Sequence, residues 1–354
     1  MNRTFHTHAG PLILLFSLAT AIPLAAQKAK PTTTFRASAE EVVMHVRFTD
    51  RVGKAITDLR PEEVKVFEDG VEQKVERVFA SQEPFDVALL LDSSPSTINN
   101  LQEIRQQSLD FVIQLLQKNR LLLLTFDDEV YVDCDWTSVP EKIEEAVQQV
   151  RTNQKADHTV LYEAVALAAK KKFTRDAPRK AMILYTDGID EGSRGISERD
   201  SVKIIEESGI VVYCIQYDSR DHYRRLYDPI RRSPTDPGWD PPVGSTGGKV
   251  GPIFVGRNPS NRDTAEYIAQ SKYDHAKKYL TALSEAGGGR YFETLKLPDL
   301  AAAYAKIIDE LSQVSTVTYI PQRRIRDGQF HRVRITTGRE GVAVQTTRQG
   351  YWAK

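Results

Sequence analysis

Cysteine is scarce: the chain has 354 residues and only 2 Cys, Cys134 and Cys214. So few cannot form a disulfide framework, and a chain this long can bury a core without one. Cys214 sits in the apolar run VVYCIQY, where it reads as a small core residue. A 134–214 disulfide is open to an exported chain, though two cysteines alone do not require it. An excess of charge of one sign is also missing, since 48 Lys+Arg balance 48 Asp+Glu. A general nucleic-acid binder is usually basic overall, so no nucleic-acid partner is expected. Gly and Pro, at 20 and 17, are too few for a collagen or a low-complexity chain. After the first thirty residues there is no apolar run of the roughly 20 residues needed to span a bilayer. What remains is an ordinary globular composition, long enough for about two domains.

The first residues, MNRTFHTHAGPLILLFSLATAIPLAAQKAK, carry one formal charge, Arg3, before Lys28. The apolar stretch Pro11 to Ala26 is interrupted by Ser17, Thr20 and Pro23, and it ends in the small residues Ala25-Ala26. A basic start, a short apolar middle and a small-residue end are the pattern of a cleavable secretory signal. Residues 1–26 are therefore expected to be removed, leaving an exported chain that is periplasmic, cell-surface or secreted. No Cys follows the apolar stretch, so lipid attachment there is excluded.

Residues 27–82 read as β structure. Val42, Met44, Val46 and Phe48 alternate with Val43, His45 and Arg47, the period of a half-buried strand. In VKVFEDGVEQKVERVF, Asp69-Gly70 stands between two alternating segments and suits a type I′ hairpin turn. From residue 83 the pattern changes. The apolar runs FDVALLLD, RLLLLTF, AMILYTD and IVVYCIQY alternate with segments of helical spacing. Fully apolar strands separated by helices imply a doubly wound, mainly parallel α/β sheet covered on both faces. Residues 218–275 break the rhythm with SPTDPGWDPP and GSTGGKVGP and read as a loop insertion, with a helix resuming near Tyr279. Tyr223, Tyr227, Trp239 and Phe254 are interleaved there with Arg224, Arg225, Arg231 and Arg232, which reads equally as a partner-specific loop or as a disordered spacer. Pro298 opens a last helix with Leu300, Tyr304, Ile307, Ile308 and Leu311 on one face. Residues 314–354 return to period two. Neither flank has enough strands alone, so the two are expected to share one β-sandwich into which the α/β unit of residues 83–313 is inserted.

The first α/β strand ends in Asp92-Ser93-Ser94-Pro95-Ser96, with oxygen side chains at i, i+2 and i+4. Open α/β sheets bind ligands at the carboxyl ends of their strands. One carboxylate and two hydroxyls form a hard-oxygen set suited to Mg²⁺ or Ca²⁺ and not to zinc. Two further loops supply matching oxygens, Thr159 in DHTVLYEAV and Asp187 in LYTDG.

These three loops resemble the von Willebrand factor type A domain and its metal-ion-dependent adhesion site. D-x-S-x-S is matched by Asp92, Ser94 and Ser96, the second-loop threonine by Thr159 and the third-loop aspartate by Asp187. VFEDGVEQKV and the closing RQGYW are similar to segments of exported bacterial VWFA-related proteins. The resemblance implies direct ligation of Mg²⁺ (or Mn²⁺ or Ca²⁺) by Ser94, Ser96 and Thr159, with Asp92 and Asp187 acting largely through water. It also implies one coordination position open to a carboxylate from a protein partner. Two departures bear on metal affinity. Pro95 stands where the family often has Gly, and Ala156-Asp157-His158 replace the usual glycines before Thr159.

Other readings of these residues compete. The oxygens could serve only as caps of turns and helices, with Ser96 or Thr97 capping the next helix. Ser94, His158 and Asp187 could be read as a hydrolase triad, but there is no G-x-S-x-G elbow, and Pro95 removes an N–H where an oxyanion donor would be useful. Asp127-Asp128 and Asp190-Glu191 read as solvated loop charge, and Lys170–Lys172 with Arg323, Arg324 and Arg326 as solvated surface. GGGR at 287–290 lacks the Lys-Ser/Thr ending of a phosphate loop and reads as a turn. The sequence thus points to a non-enzymatic binding or adhesion module. The alternative is a scaffold with a degenerate metal site that binds through 218–275. Nothing in the sequence indicates an oligomeric state.

Overall fold

The computed structural model describes residues 41–353 except 82, 98–100, 157, 175–178, 228–260, 296, 324–326 and 348. The expected signal segment 1–26, most of the Pro- and Gly-rich stretch, Asp157, Arg324 and Arg326 lie outside the described residues. All that is described belongs to one compact unit, Glu40–Lys354. No helix among the described residues is long and apolar enough to cross a membrane.

Four strands come first: β1 (Val42–Thr49), β2 (Val64–Glu68), β3 (Val71–Gln73) and β4 (Val75–Ala80). Asp69 and Gly70 join β2 to β3 with φ of 47° and 84°, the positive values a type I′ turn demands.

The α/β unit follows as β5 (Asp86–Asp92), α1 (Leu101–Leu116), β6 (Arg120–Phe126), β7 (Val130–Thr137), α2 (Pro140–Gln149) and α3 (Leu161–Leu167). It continues with β8 (Lys180–Thr186), α4 (Glu198–Ser208), β9 (Ile210–Tyr217), α5 (Arg220–Tyr227), α6 (Asn261–Ala286), β10 (Arg290–Thr294) and α7 (Leu297–Ser312). Its sheet runs β10-β9-β8-β5-β6-β7 and is parallel except for β7, which pairs antiparallel with β6. The apolar runs read from the sequence become the four central strands, because only a strand covered on both faces needs no polar side. One face is covered by α1, α2 and α7 through Ile104, Phe111, Ile143, Val147, Tyr304 and Ile307. The other is covered by α3, α4 and α6 through Leu161, Val165, Ile205, Tyr279 and Leu283.

The chain closes with β11 (Ser315–Tyr319), β12 (Phe330–Thr337), β13 (Ala343–Thr346) and β14 (Gly350–Trp352). These interleave with the first four strands as two antiparallel sheets, β13-β1-β11-β4 and β14-β12-β2-β3. Met44, Val46, Val317 and Tyr319 of one sheet share a core with Val66, Val333 and Ile335 of the other. Ala80 pairs with Ser315, so the two ends of the α/β unit leave the same sheet side by side. Arg47 of β1 meets the α/β unit through Glu310 of α7 at 3.0 Å, and Arg290 reaches the same carboxylate at 3.0 Å. Gly289 allows the turn after α6 to press onto β9, since a Cβ there would stand 2.0 Å from the Val212 carbonyl. GGGR is thus a packed turn.

Two expectations need correction, and one open possibility is closed. The segment 218–275 is not a loop throughout: α5 occupies Arg220–Tyr227 and α6 starts at Asn261, well before Tyr279. Pro and Gly cluster only between these helices, and their weight in the composition hid the helical ends. The 134–214 disulfide does not form. Both cysteines are free, and Cys134 on β7 and Cys214 on β9 are four strand positions apart, about 19 Å at ~4.8 Å per strand. Asp127 is not solvated but 3% exposed, as described below.

Candidate metal centre

The strand order reverses direction at β5. The chain moves from β5 to β6 on one side, and β8, β9 and β10 extend on the other. The carboxyl ends of β5 and β8 therefore flank the crevice where a doubly wound sheet takes its ligand.

Asp92 ends β5 and is 1% exposed. Its Oδ1 accepts the Ser94 N–H at 2.9 Å, and its Oδ2 accepts the Thr186 hydroxyl at 2.6 Å. Both oxygens are held, so the carboxyl has no freedom to turn away. Pro95 begins a single 3-10 turn, Pro95–Thr97, a position where its missing N–H costs nothing. Inside that turn the Thr97 hydroxyl donates to the Ser94 carbonyl at 2.8 Å. This leaves Ser94 Oγ 3.0 Å from Ser96 Oγ, which in turn stands 2.7 Å from the Tyr217 hydroxyl. Ser96 is therefore engaged within the site.

Asp187 follows β8 and is 2% exposed. Its Oδ1 accepts the Ile189 N–H at 3.0 Å, and its carbonyl accepts Gln216 Nε2 at 2.8 Å. Its Oδ2 is buried with no hydrogen-bond partner. The hydroxyls of Ser219 and Ser96 stand close enough to favour the ionised form but do not close a bond to that atom. Burial first, and then the charge of Asp92, push Asp187 up to about 7. Burial also raises Asp92. Among the described residues no ion pair neutralises either acid. Two buried carboxyls side by side, one with an orphan oxygen, are unfavourable unless a proton or a cation is shared between them.

Thr159 is 7% exposed and precedes α3. Its carbonyl accepts the N–H groups of Glu191 and Gly192 at 3.1 and 3.0 Å, which ties the second loop to the third. Asp190 strengthens that tie by accepting the Tyr162 N–H at 2.9 Å in the first turn of α3. Ser93 ties in the first loop: its hydroxyl donates to Asp127 Oδ2 at 3.1 Å, and its carbonyl accepts the Asn153 N–H at 3.0 Å. Asp127 is buried because it braces this junction, and burial followed by its neighbour Asp128 raises its pKa. Asp128 is exposed, as expected. His158 is exposed while Ser94 Oγ faces Ser96, so among the described residues no Ser–His–Asp triad is assembled. Among the described residues there is also no cluster of three or more His, Cys, Asp or Glu suited to a metal ion; the set here is two acids plus hydroxyls.

The sequence reading missed Thr186, Gln216 and Tyr217. Thr186 was visible as the residue before Asp187 in T-D-G. The other two lie at the end of a strand whose apolar run gave no sign that its last residues face a polar site.

The sequence profile of the von Willebrand factor type A domain matches residues 86–234, so the α/β unit is a domain of that type. No curated protein matches the chain. Among solved structures, BatB from Bacteroides thetaiotaomicron aligns with 64% of this chain and 97% of its own, at 18% identity and a TM-score of 0.41. The vWF domain of the type V pili tip protein Mfa5 from Porphyromonas gingivalis aligns with 66% of this chain and 96% of its own, at 13% identity and a TM-score of 0.42. Proximal thread matrix protein 1 from the mussel byssus, solved with a zinc occupied MIDAS motif, aligns over 69% of this chain at 16% identity and a TM-score of 0.44. This chain spans 49% of the mussel protein's length. Likenesses this distant carry no argument about activity.

Proposed function

We propose that the chain is an exported binding or adhesion module that recognises a protein partner through a divalent cation, Mg²⁺, Mn²⁺ or Ca²⁺. The observation that carries this reading is the orphan Oδ2 of Asp187 beside the buried carboxyl of Asp92. A divalent cation relieves their repulsion and supplies the missing partner in one step. Ser94, Ser96 and Thr159 would offer hydroxyl oxygens directly, and Asp92 and Asp187 would act largely through water. When bound, the ion supplies a positive centre for an acidic side chain of the partner. The chain itself holds the oxygens in place: Thr186 fixes Asp92, Gln216 fixes the Asp187 loop, and the Thr159 carbonyl locks loop to loop. In this reading residues 1–26 direct export and are removed, which leaves a net charge of −1. The protein then has no broad field to steer a partner, and selection for acidic groups rests on the cation.

Titration calorimetry of the purified chain with Mg²⁺ and Mn²⁺, alongside Asp92→Ala, tests the site. Saturable binding that Asp92→Ala abolishes is expected, and equal behaviour of the two proteins would falsify the metal reading. Capture of the partner from native cell envelopes, with and without EDTA, tests the function. Capture that survives chelation would instead fit a scaffold whose metal site is degenerate.

A further inference from the structure

Ser96 stands between two hydroxyls, and the proton on each contact has a direction that chemistry decides. A serine that turns a lone pair to a cation must give its own proton to something else. Ser94, 3.0 Å away, is under the same demand if it is also a ligand. The acceptor that remains is the Tyr217 hydroxyl at 2.7 Å. Tyr217 is 2% exposed at the last position of β9, and its ring stacks on Tyr185 with centroids 5.1 Å apart, so its oxygen is fixed.

Building on the proposed cation site, we infer that Tyr217 is its positioning residue, accepting the hydrogen bond that the Ser96 hydroxyl donates. The phenol thereby sets the Ser96 lone pair toward the cation before the cation arrives. Partners behind the ligands typically change metal affinity about 10–100-fold when removed.

The test uses the full chain with Mn²⁺ as the probe, by titration calorimetry and thermal melts. The variants are Tyr217→Phe and Tyr304→Phe. Tyr304 makes a buried bond of the same kind, 3.1 Å to Ser108 between α7 and α1, and serves as the control for losing a buried tyrosine–serine contact. Tyr217→Phe is expected to weaken Mn²⁺ binding about 10-fold. Tyr304→Phe should leave affinity unchanged even if it lowers the melting midpoint as much. In a Ser96→Ala background Tyr217→Phe should cost no further affinity, because the hydrogen bond it accepts is gone. Wild-type affinity in Tyr217→Phe, or an equal loss with and without Ser96, overturns the role of Tyr217 alone. Absence of Mn²⁺ binding by the wild type overturns the cation reading and this role with it.

Discussion

Asp187 shows how one side chain can report a missing partner. A carboxyl that burial and a neighbouring acid push up to about 7 in the fold, from near 4 when unfolded, disfavours the folded state once it is ionised. Without a cation, its contribution to stability is therefore lost as pH rises from about 4 to about 7. Asp187→Asn removes the charge and keeps the shape. In EDTA at pH 8 this variant should melt a few °C above wild type, at about 2–4 °C per kcal/mol for a large domain. It should also lose the upward shift that Mn²⁺ is expected to give the wild type. A variant that melts below wild type in EDTA and still responds to Mn²⁺ would contradict the argument. The proposed oxygen set, Asp92, Ser94, Ser96, Thr159 and Asp187, was read from residue types at given spacings on three loops, because each such oxygen must be coded one by one. The partners Gln216 and Tyr217 were not, since a strand's last residues look the same in sequence whether they face a core or a polar crevice.

Among the elements, the β2–β3 hairpin was the most legible, because two residues with positive φ leave few alternatives to Asp-Gly. Its turn is also tied to β12. His331 Nδ1 lies 2.7 Å from Asp69 Oδ2 and its Nε2 lies 3.3 Å from Asp327 Oδ1. Burial alone would lower the imidazole, but the hydrogen bonds and charges of Asp69 and Asp327 outweigh it and raise it above its usual value. A raised folded pKa means the ion pairs stabilise the fold fully below the unfolded value of about 6.5 and lose that effect as pH climbs through the folded value. Thermal melts of His331→Gln against wild type should differ more at pH 6 than at pH 9, and an equal difference at both would remove the clamp. The helices α5 and α6 were less legible. Tyr223 packs with Ile189, Ala269 and Ala276 beside the third loop, a contact that only the tertiary fold creates.

For the whole molecule, the inserted arrangement could be anticipated from strand counts alone, since neither flank could close a sheet. What holds the α/β unit to the sandwich could not. Arg47 occupies an outward-alternating position on β1, where an arginine reads as surface. In the structure it is 5% exposed and meets Glu310, which is 1% exposed. Removing one member of a buried ion pair leaves an uncompensated charge, at a cost of about 3–5 kcal/mol. Urea unfolding of Glu310→Ala should show a loss of that order, whereas a loss below about 1 kcal/mol would mean the pair is effectively solvated.

The pairing of Ala80 with Ser315 has a mechanical consequence. Tension applied through β1 and β14 loads the sandwich first, because both strands belong to it. The α/β unit hangs from the load path as a closed side loop, its two ends clamped together by β4 and β11. An anchor pulled from both flanks would strain those strands while the Asp92 and Asp187 loops kept their relaxed spacing. Such tension would run through the sandwich and leave the α/β unit outside its path.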